Sequence, residues 1–261
     1  MNNRYAITFG EVSILHVGGK EYGKIRNKGF SCEELQKINK DYPNETEYIS
    51  ISDSLPENRR SGNEAGVLVF RCKNKDEEDY KLPLSNKISN KLYEEQEKCQ
   101  YDTKYWDNRR QKTLNKRARL NIMFGNEEQN HNEDYKIPTI ISFNSLPHLS
   151  IIREQLSTIL GEKSKNLNAE GNKYFHNKSG IGFHGDAERK TVICMSLGKS
   201  SKLRYQWRLP GSSEHTLEPV DINVNHGDVY IMSEKATGFD WKSRSKVRVV
   251  HAAGHSSYID K

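Results

Sequence analysis

The 261-residue sequence has no long apolar run. Its mean hydropathy is -0.90, and no stretch approaches the roughly 18 consecutive apolar residues that a membrane-spanning helix requires. The first residues, MNNRYAITFG, also lack the charged and then apolar order of a signal peptide. We therefore expect a soluble, intracellular protein of the cytoplasm or nucleus that has no membrane partner.

Cysteine is scarce and widely spaced. The four cysteines are not arranged in any C-x-x-C pair, so the sequence predicts reduced thiols rather than a zinc knuckle or a redox dithiol. Apolar residues make up only 34% of the chain, but 13 Tyr, 8 Phe and 3 Trp are enough to fill a core. The composition therefore favours a folded protein with polar loops over a disordered one.

Positive charge is concentrated in one segment, although the net charge is only +6. Between residues 104 and 119 there are seven basic residues and one acid, Asp107; the basic residues are Lys104, Arg109, Arg110, Lys112, Lys116, Arg117 and Arg119. Such a run favours an anionic partner such as nucleic acid. It is equally typical of a solvent-exposed helix face.

Residues 1–80 have the pattern of a small α/β accessory domain. An apolar strand is predicted at residues 5–9, and the S-x-x-E sequence of Ser31 and Glu34 predicts the start of a capped helix. Two further strands are predicted at residues 48–51 and 67–70. Residues 81–115 are strongly polar and predict a helical bridge whose basic end is exposed.

Residues 116–261 predict the main domain. A helix is expected after Ser145 and Pro147, ending at Gly161. Short strands are then predicted at residues 182–186, 191–197, 203–207, 220–224, 228–232 and 247–251. Many short strands after a helix indicate an α+β fold in which a jelly roll is buttressed by helices.

The pattern Gly182-x-His184-x-Asp186 is the most informative in the chain. Residues i and i+2 of a strand face the same side, so His184 and Asp186 can point into one cavity. His251, at the end of a late apolar strand, is expected to complete a 2-His-1-carboxylate triad, with His255 as an alternative third ligand. Such a triad leaves positions open on Fe(II) for a co-substrate and oxygen.

A second His-x-Asp pair, His226 and Asp228, lies in a Gly-containing turn before a central strand. There the aspartate is expected to cap the turn, and the glycine to bend it. We therefore predict a structural role for this pair.

The segment from residue 116 onward resembles the AlkB-like family of 2-oxoglutarate- and Fe(II)-dependent oxygenases. The similarity rests on an ordered set of motifs: an Arg-rich segment with Phe-Gly, a buttressing helix, Asn172-x-Tyr174, Gly182-x-His184-x-Asp186 followed by Glu188-Arg, a Ser196-Leu-Gly strand, and Asn225-His-Gly-Asp-Val-Tyr-Ile-Met. The resemblance implies a double-stranded β-helix in which Asn172 and Tyr174 hydrogen-bond 2-oxoglutarate. It also implies that His184, Asp186 and His251 hold the iron.

The C-terminal part departs from the AlkB-like pattern. Members of that family carry an arginine on a strand after the distal histidine, whereas only ten residues follow His251 here, in a His-Ala-Ala-Gly setting that is similar to prolyl-hydroxylase-type oxygenases. The predicted anchor for the far carboxylate of 2-oxoglutarate is Arg248. Lys235, Arg244 and the terminal Lys261 remain alternatives.

The resemblance implies that iron, 2-oxoglutarate and oxygen together hydroxylate a C–H bond of the substrate, or demethylate an N-methyl group by the same reaction. Nucleic acid is the predicted substrate, with Lys116, Arg117 and Arg119 as its contacts, and Tyr101, Tyr105 and Trp106 either stack bases or pack the segment onto the sheet. Two alternatives are a protein or small-molecule hydroxylase and a non-catalytic binding module on a jelly roll. The sequence leaves the oligomeric state open.

Overall fold

The computed structural model describes residues 1, 3–15, 19–72, 85–211 and 217–260. Within them the protein has mixed α and β structure that consists mostly of β-sheet, which confirms the predicted class at this level. The strands are β1 (Arg4–Gly10), β2 (Val12–Ser13), β3 (Tyr22–Gly23), β4 (Thr46–Ser50), β5 (Gly66–Phe70), β6 (Lys104–Asp107), β7 (Lys112–Asn115), β8 (Leu120–Gly125), β9 (Ile140–Ser142), β10 (Asn168–Tyr174), β11 (Gly180–His184), β12 (Val192–Gly198), β13 (Ser201–Arg208), β14 (Val220–Val224), β15 (Val229–Met232) and β16 (Arg248–Gly254).

The helices are fewer than the strands. They are α1 (Cys32–Asp41), α2 (Asn86–Lys98), α3 (Pro147–Leu160) and the short α4 (Ser256–Ile259), with single 3₁₀ turns at Ser52–Ser54, Glu57–Arg59, Phe143–Ser145 and Gly161–Ser164. Among the described residues, no helix has the length and apolar character needed to cross a bilayer.

Two sheets contain most of the strands. The larger has eight strands in the order β4-β5-β15-β12-β1-β10-β8-β9, and the smaller has four in the order β11-β16-β13-β14. Neighbours in both sheets are antiparallel except β8 and β9, which are parallel. The pairs β2-β3 and β6-β7 form separate two-stranded ribbons.

The eight-stranded sheet is buried on both faces. On one face, alternate residues of β1, namely Tyr5, Ile7 and Phe9, pack in a core with apolar residues of α1, α2 and α3. On the other face, residues of β5, β12 and β15 pack against β13, β14 and β16 of the smaller sheet, with Trp207 and Val249 among the contacts. Each fully buried large apolar side chain stabilises the fold by about 1.5–3 kcal/mol.

The prediction that residues 1–80 form a separate accessory domain does not agree with these pairings. Strand β1 is hydrogen-bonded to β10 on one side and to β12 on the other, and β5 pairs with β15. The sequence pattern identified the strands correctly, but a local pattern does not specify which distant strand will be the partner. The predicted boundary at residue 80 itself lies outside the described residues.

The predicted helical bridge over residues 81–115 is partly wrong. Helix α2 does form, with the Ser85 side chain capping its start, but residues 104–115 form the β6-β7 hairpin. Gln111 has φ of 49° in the turn of this hairpin. Residues 81–84 lie outside the described part of the chain.

The predicted helix ends agree with the structure in most details. Ser31 and Glu34 form a reciprocal capping box at the start of α1. Helix α3 starts at Pro147 and is capped at its C-terminal end by Gly161, whose φ of +73° is easily reached by glycine. Ser145 is not its cap, because it lies in the preceding 3₁₀ turn.

Candidate metal centre

Three predicted ligands come together between the two sheets. His184 ends β11 and lies directly opposite His251 of β16, and Asp186 follows two residues after His184. The Nε2 atom of His184 lies 3.9 Å from Asp186 Oδ1, and the Nε2 atom of His251 lies 4.0 Å from Asp186 Oδ2. These separations are too long for hydrogen bonds, but an ion that binds N and O at about 2.0–2.2 Å fits between the three groups.

The Nε2 atoms of both histidines face this point. The His184 Nδ1 atom lies 2.8 Å from the carbonyl oxygen of Gly182, which can only accept, so Nδ1 is the donor and Nε2 is the ring nitrogen that can bind a metal. Burial lowers the pKa of His251 to about 3, which keeps its imidazole neutral. Neutral imidazole is the form that binds metals.

Asp186 is held as a buried carboxylate. Burial by itself would raise its pKa, but the positive charge of Arg189 outweighs burial and holds the pKa below its usual value. Its backbone N–H donates to the Thr237 carbonyl at 2.9 Å. Gly185 permits this approach, because a Cβ there would lie 2.3 Å from the carbonyl oxygen of Gly238.

Arg189 is fixed by two further acids that the sequence reasoning did not single out. Its Nη2 atom lies 3.1 Å from Glu170 and 2.9 Å from Glu188. These carboxylates raise the pKa of the guanidinium although burial opposes them. Glu170 also accepts the backbone N–H of Ile14 at 2.6 Å, so the network ties β10 to the metal loop and to the chain after β2.

The metal ligands line a cavity of about 810 Å³ between the sheets. The predicted co-substrate residues Asn172 and Tyr174, on β10, line the same cavity. The Oδ1 atom of Asn172 accepts a hydrogen bond of 2.7 Å from Arg119 Nε. Arg119, predicted to contact nucleic acid, therefore lies in the cavity wall beside a predicted co-substrate residue.

Arg4 is a cavity residue that the sequence reasoning missed. It lies on β1, is 8% exposed, and its guanidinium carbon is 3.7 Å from the centroid of the Tyr174 ring. No local motif marks it, because it reaches the site only through the pairing of β1 with β10 and β12.

The predicted carboxylate anchor, Arg248, does not line this cavity. It begins β16 and its Nη1 atom donates to the Trp241 carbonyl at 3.0 Å. Lys235 forms an ion pair with Asp240, and Arg244 is exposed. Lys261 lies outside the described residues.

His255, the alternative third ligand, and His226, of the second His-x-Asp pair, both have structural contacts. His255 caps α4 by accepting the Ser257 N–H at 3.1 Å. His226 accepts the Gly198 N–H at 2.9 Å, and Asp228 forms an ion pair with Arg71. The second His-x-Asp pair thus stabilises a turn, as expected from its sequence.

The basic run forms a groove beside the cavity rather than an exposed helix face. Five basic residues and no acidic ones are among the described residues that line this groove; the basic ones are Lys104, Arg110, Lys116, Arg117 and Arg119. Arg117 is exposed, whereas Lys116 is half-buried and donates to the Asn121 carbonyl at 3.0 Å. Leu15 and Arg119 line both the groove and the metal cavity, so the two are adjacent.

The three aromatic residues of this segment lie in different surroundings. Tyr101 is buried in the helix-side core and donates to Gln96 at 2.8 Å. Tyr105 lines the basic groove, and the Trp106 ring lies under Lys136.

No family model matches the sequence. The chain is similar to an uncharacterized protein of Acanthamoeba polyphaga mimivirus, with 33% identity over 257 residues. The alignment covers 97% of this chain and 96% of the mimivirus protein. At that identity and coverage, this chain belongs to the same protein family as the mimivirus protein.

Proposed function

We propose that the protein is a 2-oxoglutarate- and Fe(II)-dependent dioxygenase of the AlkB-like type, which hydroxylates or oxidatively demethylates nucleic acid. The observation that carries the proposal is the convergence of His184, Asp186 and His251 on one point of a cavity. A site between a larger and a smaller antiparallel sheet also supports the double-stranded β-helix as the finer description of the fold.

The donor set fits the proposed ion. Two neutral imidazoles and one carboxylate on one side of an ion suit Fe(II) and leave coordination positions for other ligands. Bound iron, with 2-oxoglutarate and oxygen, would supply hydroxylation of a substrate C–H bond coupled to conversion of 2-oxoglutarate to succinate and carbon dioxide.

The chain's own residues prepare the site for this chemistry. His184 is oriented by its hydrogen bond to Gly182, and Asp186 is kept ionised by Arg189, so the ligand atoms need little rearrangement to bind a cation. Asn172 and Tyr174 present polar groups from one face of β10. Burial of these groups limits the access of bulk water.

The basic groove supports a polyanionic substrate. Its positive side chains lie beside the cavity that contains the metal ligands, and Arg119 belongs to both. A backbone bound along the groove would therefore be next to the cavity opening. Contacts of this kind position a nucleic acid without specifying its sequence, which leaves selectivity to the cavity.

Metal binding and 2-oxoglutarate turnover test the enzyme class. The wild-type protein should bind one Fe(II) and produce succinate, and the His184→Ala protein should lose both. His226→Ala is the matched control because it removes a histidine from the same type of motif outside the centre, and it should retain iron. Equal iron binding by the two variants would contradict the assignment.

Oligonucleotide binding tests the substrate class. Charge reversal of the exposed groove residues Lys104, Arg110 and Arg117 to glutamate should weaken binding and flatten its dependence on salt. The same change at exposed lysines elsewhere (Lys37, Lys40 and Lys91) alters the net charge equally and should have less effect. A wild-type protein with no oligonucleotide affinity at low salt would instead favour hydroxylation of a protein or a small molecule.

A further inference from the structure

Arg4 is a buried cation that forms no ion pair with an acid among the described residues. More than nine-tenths of the residue is buried, and its Nη2 atom has no hydrogen-bond partner. The guanidinium contacts the face of Tyr174, which is an attraction weaker than an ion pair. Burial of a charge without a partner is strongly unfavourable, so this arrangement calls for an anion.

Arg189 shows how the same cavity treats a structural arginine. It is buried to a similar extent, but it is paired with Glu170 and Glu188. Among the described residues, no comparable ion pair is present at Arg4. Glu170 and Glu188 therefore neutralise Arg189, whereas Arg4 remains available to a ligand.

The position of Arg4 suits a ligand that also reaches the metal ligands. Its side chain extends from the eight-stranded sheet to β16 of the smaller sheet, where a Cβ added at Gly254 would lie 3.2 Å from Arg4 Nη2. Gly254 follows His251 by three residues, which is about 10 Å along a strand. An extended five-carbon dicarboxylate with a hydrogen bond at its far end can cover such a distance.

We propose that Arg4 binds the far carboxylate of a dicarboxylate whose other end is held at the His184–Asp186–His251 centre. This inference rests on the proposed function and adds the residue that selects a 2-oxo diacid over a 2-oxo monoacid. A guanidinium can bind a carboxylate through two parallel hydrogen bonds. The ring of Tyr174 beneath it restricts the orientation of its plane.

The test compares two ligands on the Mn(II)-loaded full-length protein by titration calorimetry. The ligands are 2-oxoglutarate and 2-oxopentanoate, which differ only in a carboxylate or a methyl group at the far end. The wild-type protein should bind 2-oxoglutarate about tenfold or more tightly than 2-oxopentanoate. In the Arg4→Met protein the two ligands should bind almost equally.

Arg248→Met is the matched control. It removes the arginine that the sequence predicts as the carboxylate anchor, which does not line the cavity. It should keep the wild-type ratio of the two affinities. If Arg248→Met loses the ratio and Arg4→Met keeps it, Arg4 is not the carboxylate site.

The remaining outcomes separate this inference from the proposed function. A wild-type protein that binds Mn(II) but neither ligand overturns both. A wild-type protein that prefers 2-oxoglutarate, with the same preference in Arg4→Met, overturns only the role of Arg4. If the methionine variant does not fold, Arg4→Lys takes its place, because it keeps the charge but loses the planar guanidinium. This variant should lower the ratio of the two ligand affinities severalfold. An unchanged ratio in Arg4→Lys also overturns the role of Arg4.

Discussion

Substitution of Ile7 by alanine should destabilise the whole described fold, although Ile7 lies in the segment whose sequence indicated a separate domain. Ile7 is fully buried on the central strand β1, in the core that the sheet shares with three helices. A buried isoleucine truncated to alanine typically costs about 2–5 kcal/mol, because apolar contacts are lost and a cavity remains. With a urea dependence of about 1–3 kcal/mol per molar, the unfolding midpoint should fall by roughly 1 M or more.

The three tryptophans provide a direct assay. Trp106, Trp207 and Trp241 all lie after residue 80, so their fluorescence reports on the rest of the chain. Trp207 packs in the core between the sheets, and its Nε1 donates to the Ile51 carbonyl at 3.1 Å. If the segments share one core, Ile7→Ala should lower the midpoint seen by fluorescence and by circular dichroism to the same extent.

Ile25→Ala is the matched control, with the same chemical change in the same segment. Ile25 is 47% exposed, so its truncation should change stability by less than about 0.5 kcal/mol. The opposite result would be a partial loss of circular dichroism at low urea in Ile7→Ala, followed by a tryptophan transition at the wild-type midpoint. That result would contradict a shared core and would favour a separate N-terminal domain.

Two further predictions concern the cavity and the groove. Tyr174→Phe keeps the ring beneath Arg4 but loses the hydroxyl, so the dissociation constant of 2-oxoglutarate should rise about tenfold, and calorimetry showing no change would place the co-substrate elsewhere. Burial lowers the pKa of Lys116 to about 8, so oligonucleotide affinity measured by anisotropy should decrease as the pH rises through and above this value, because Lys116 loses its positive charge. Lys116→Arg stays protonated and should weaken that decrease, and an identical pH profile would show that Lys116 does not contact the ligand.

The predictions that agree best with the structure depend on local periodicity. The strand at Val220–Val224 has the predicted bounds, and most other predicted strands differ by one to three residues at an end. His184 and Asp186 lie together as expected from the His-x-Asp spacing, although β11 ends at His184 and Asp186 belongs to the loop that follows, so the predicted alternation along a strand is not what joins them. The sequence predicts His251 at the end of a late apolar strand; in the structure it lies within β16, and the antiparallel pairing of β11 with β16 brings the two histidines opposite each other.

The features that were missed depend on contacts between distant parts of the chain. Residues 104–115 have few apolar positions, and such a segment gives little periodic signal to distinguish a hairpin from a polar helix. The inclusion of β1 in the main sheet likewise follows from its pairing with β10, which lies far along the chain from it. Arg4 could not be recognised as a site residue without that pairing.

The alternation of β1 links stability and chemistry in one strand. Tyr5, Ile7 and Phe9 face the helix-side core, whereas Arg4 and other residues of the opposite face line the metal cavity. The two faces should therefore respond differently to substitution. Ile7→Ala should lower the unfolding midpoint through lost packing, whereas Arg4→Met removes an unmatched buried charge and should change ligand preference without a comparable loss of stability. The unfolding midpoint and the ratio of the two ligand affinities should be measured on both variants. If each variant loses both stability and ligand preference, the two faces of β1 do not act independently, and the ligand preference depends on packing rather than on the charge of Arg4.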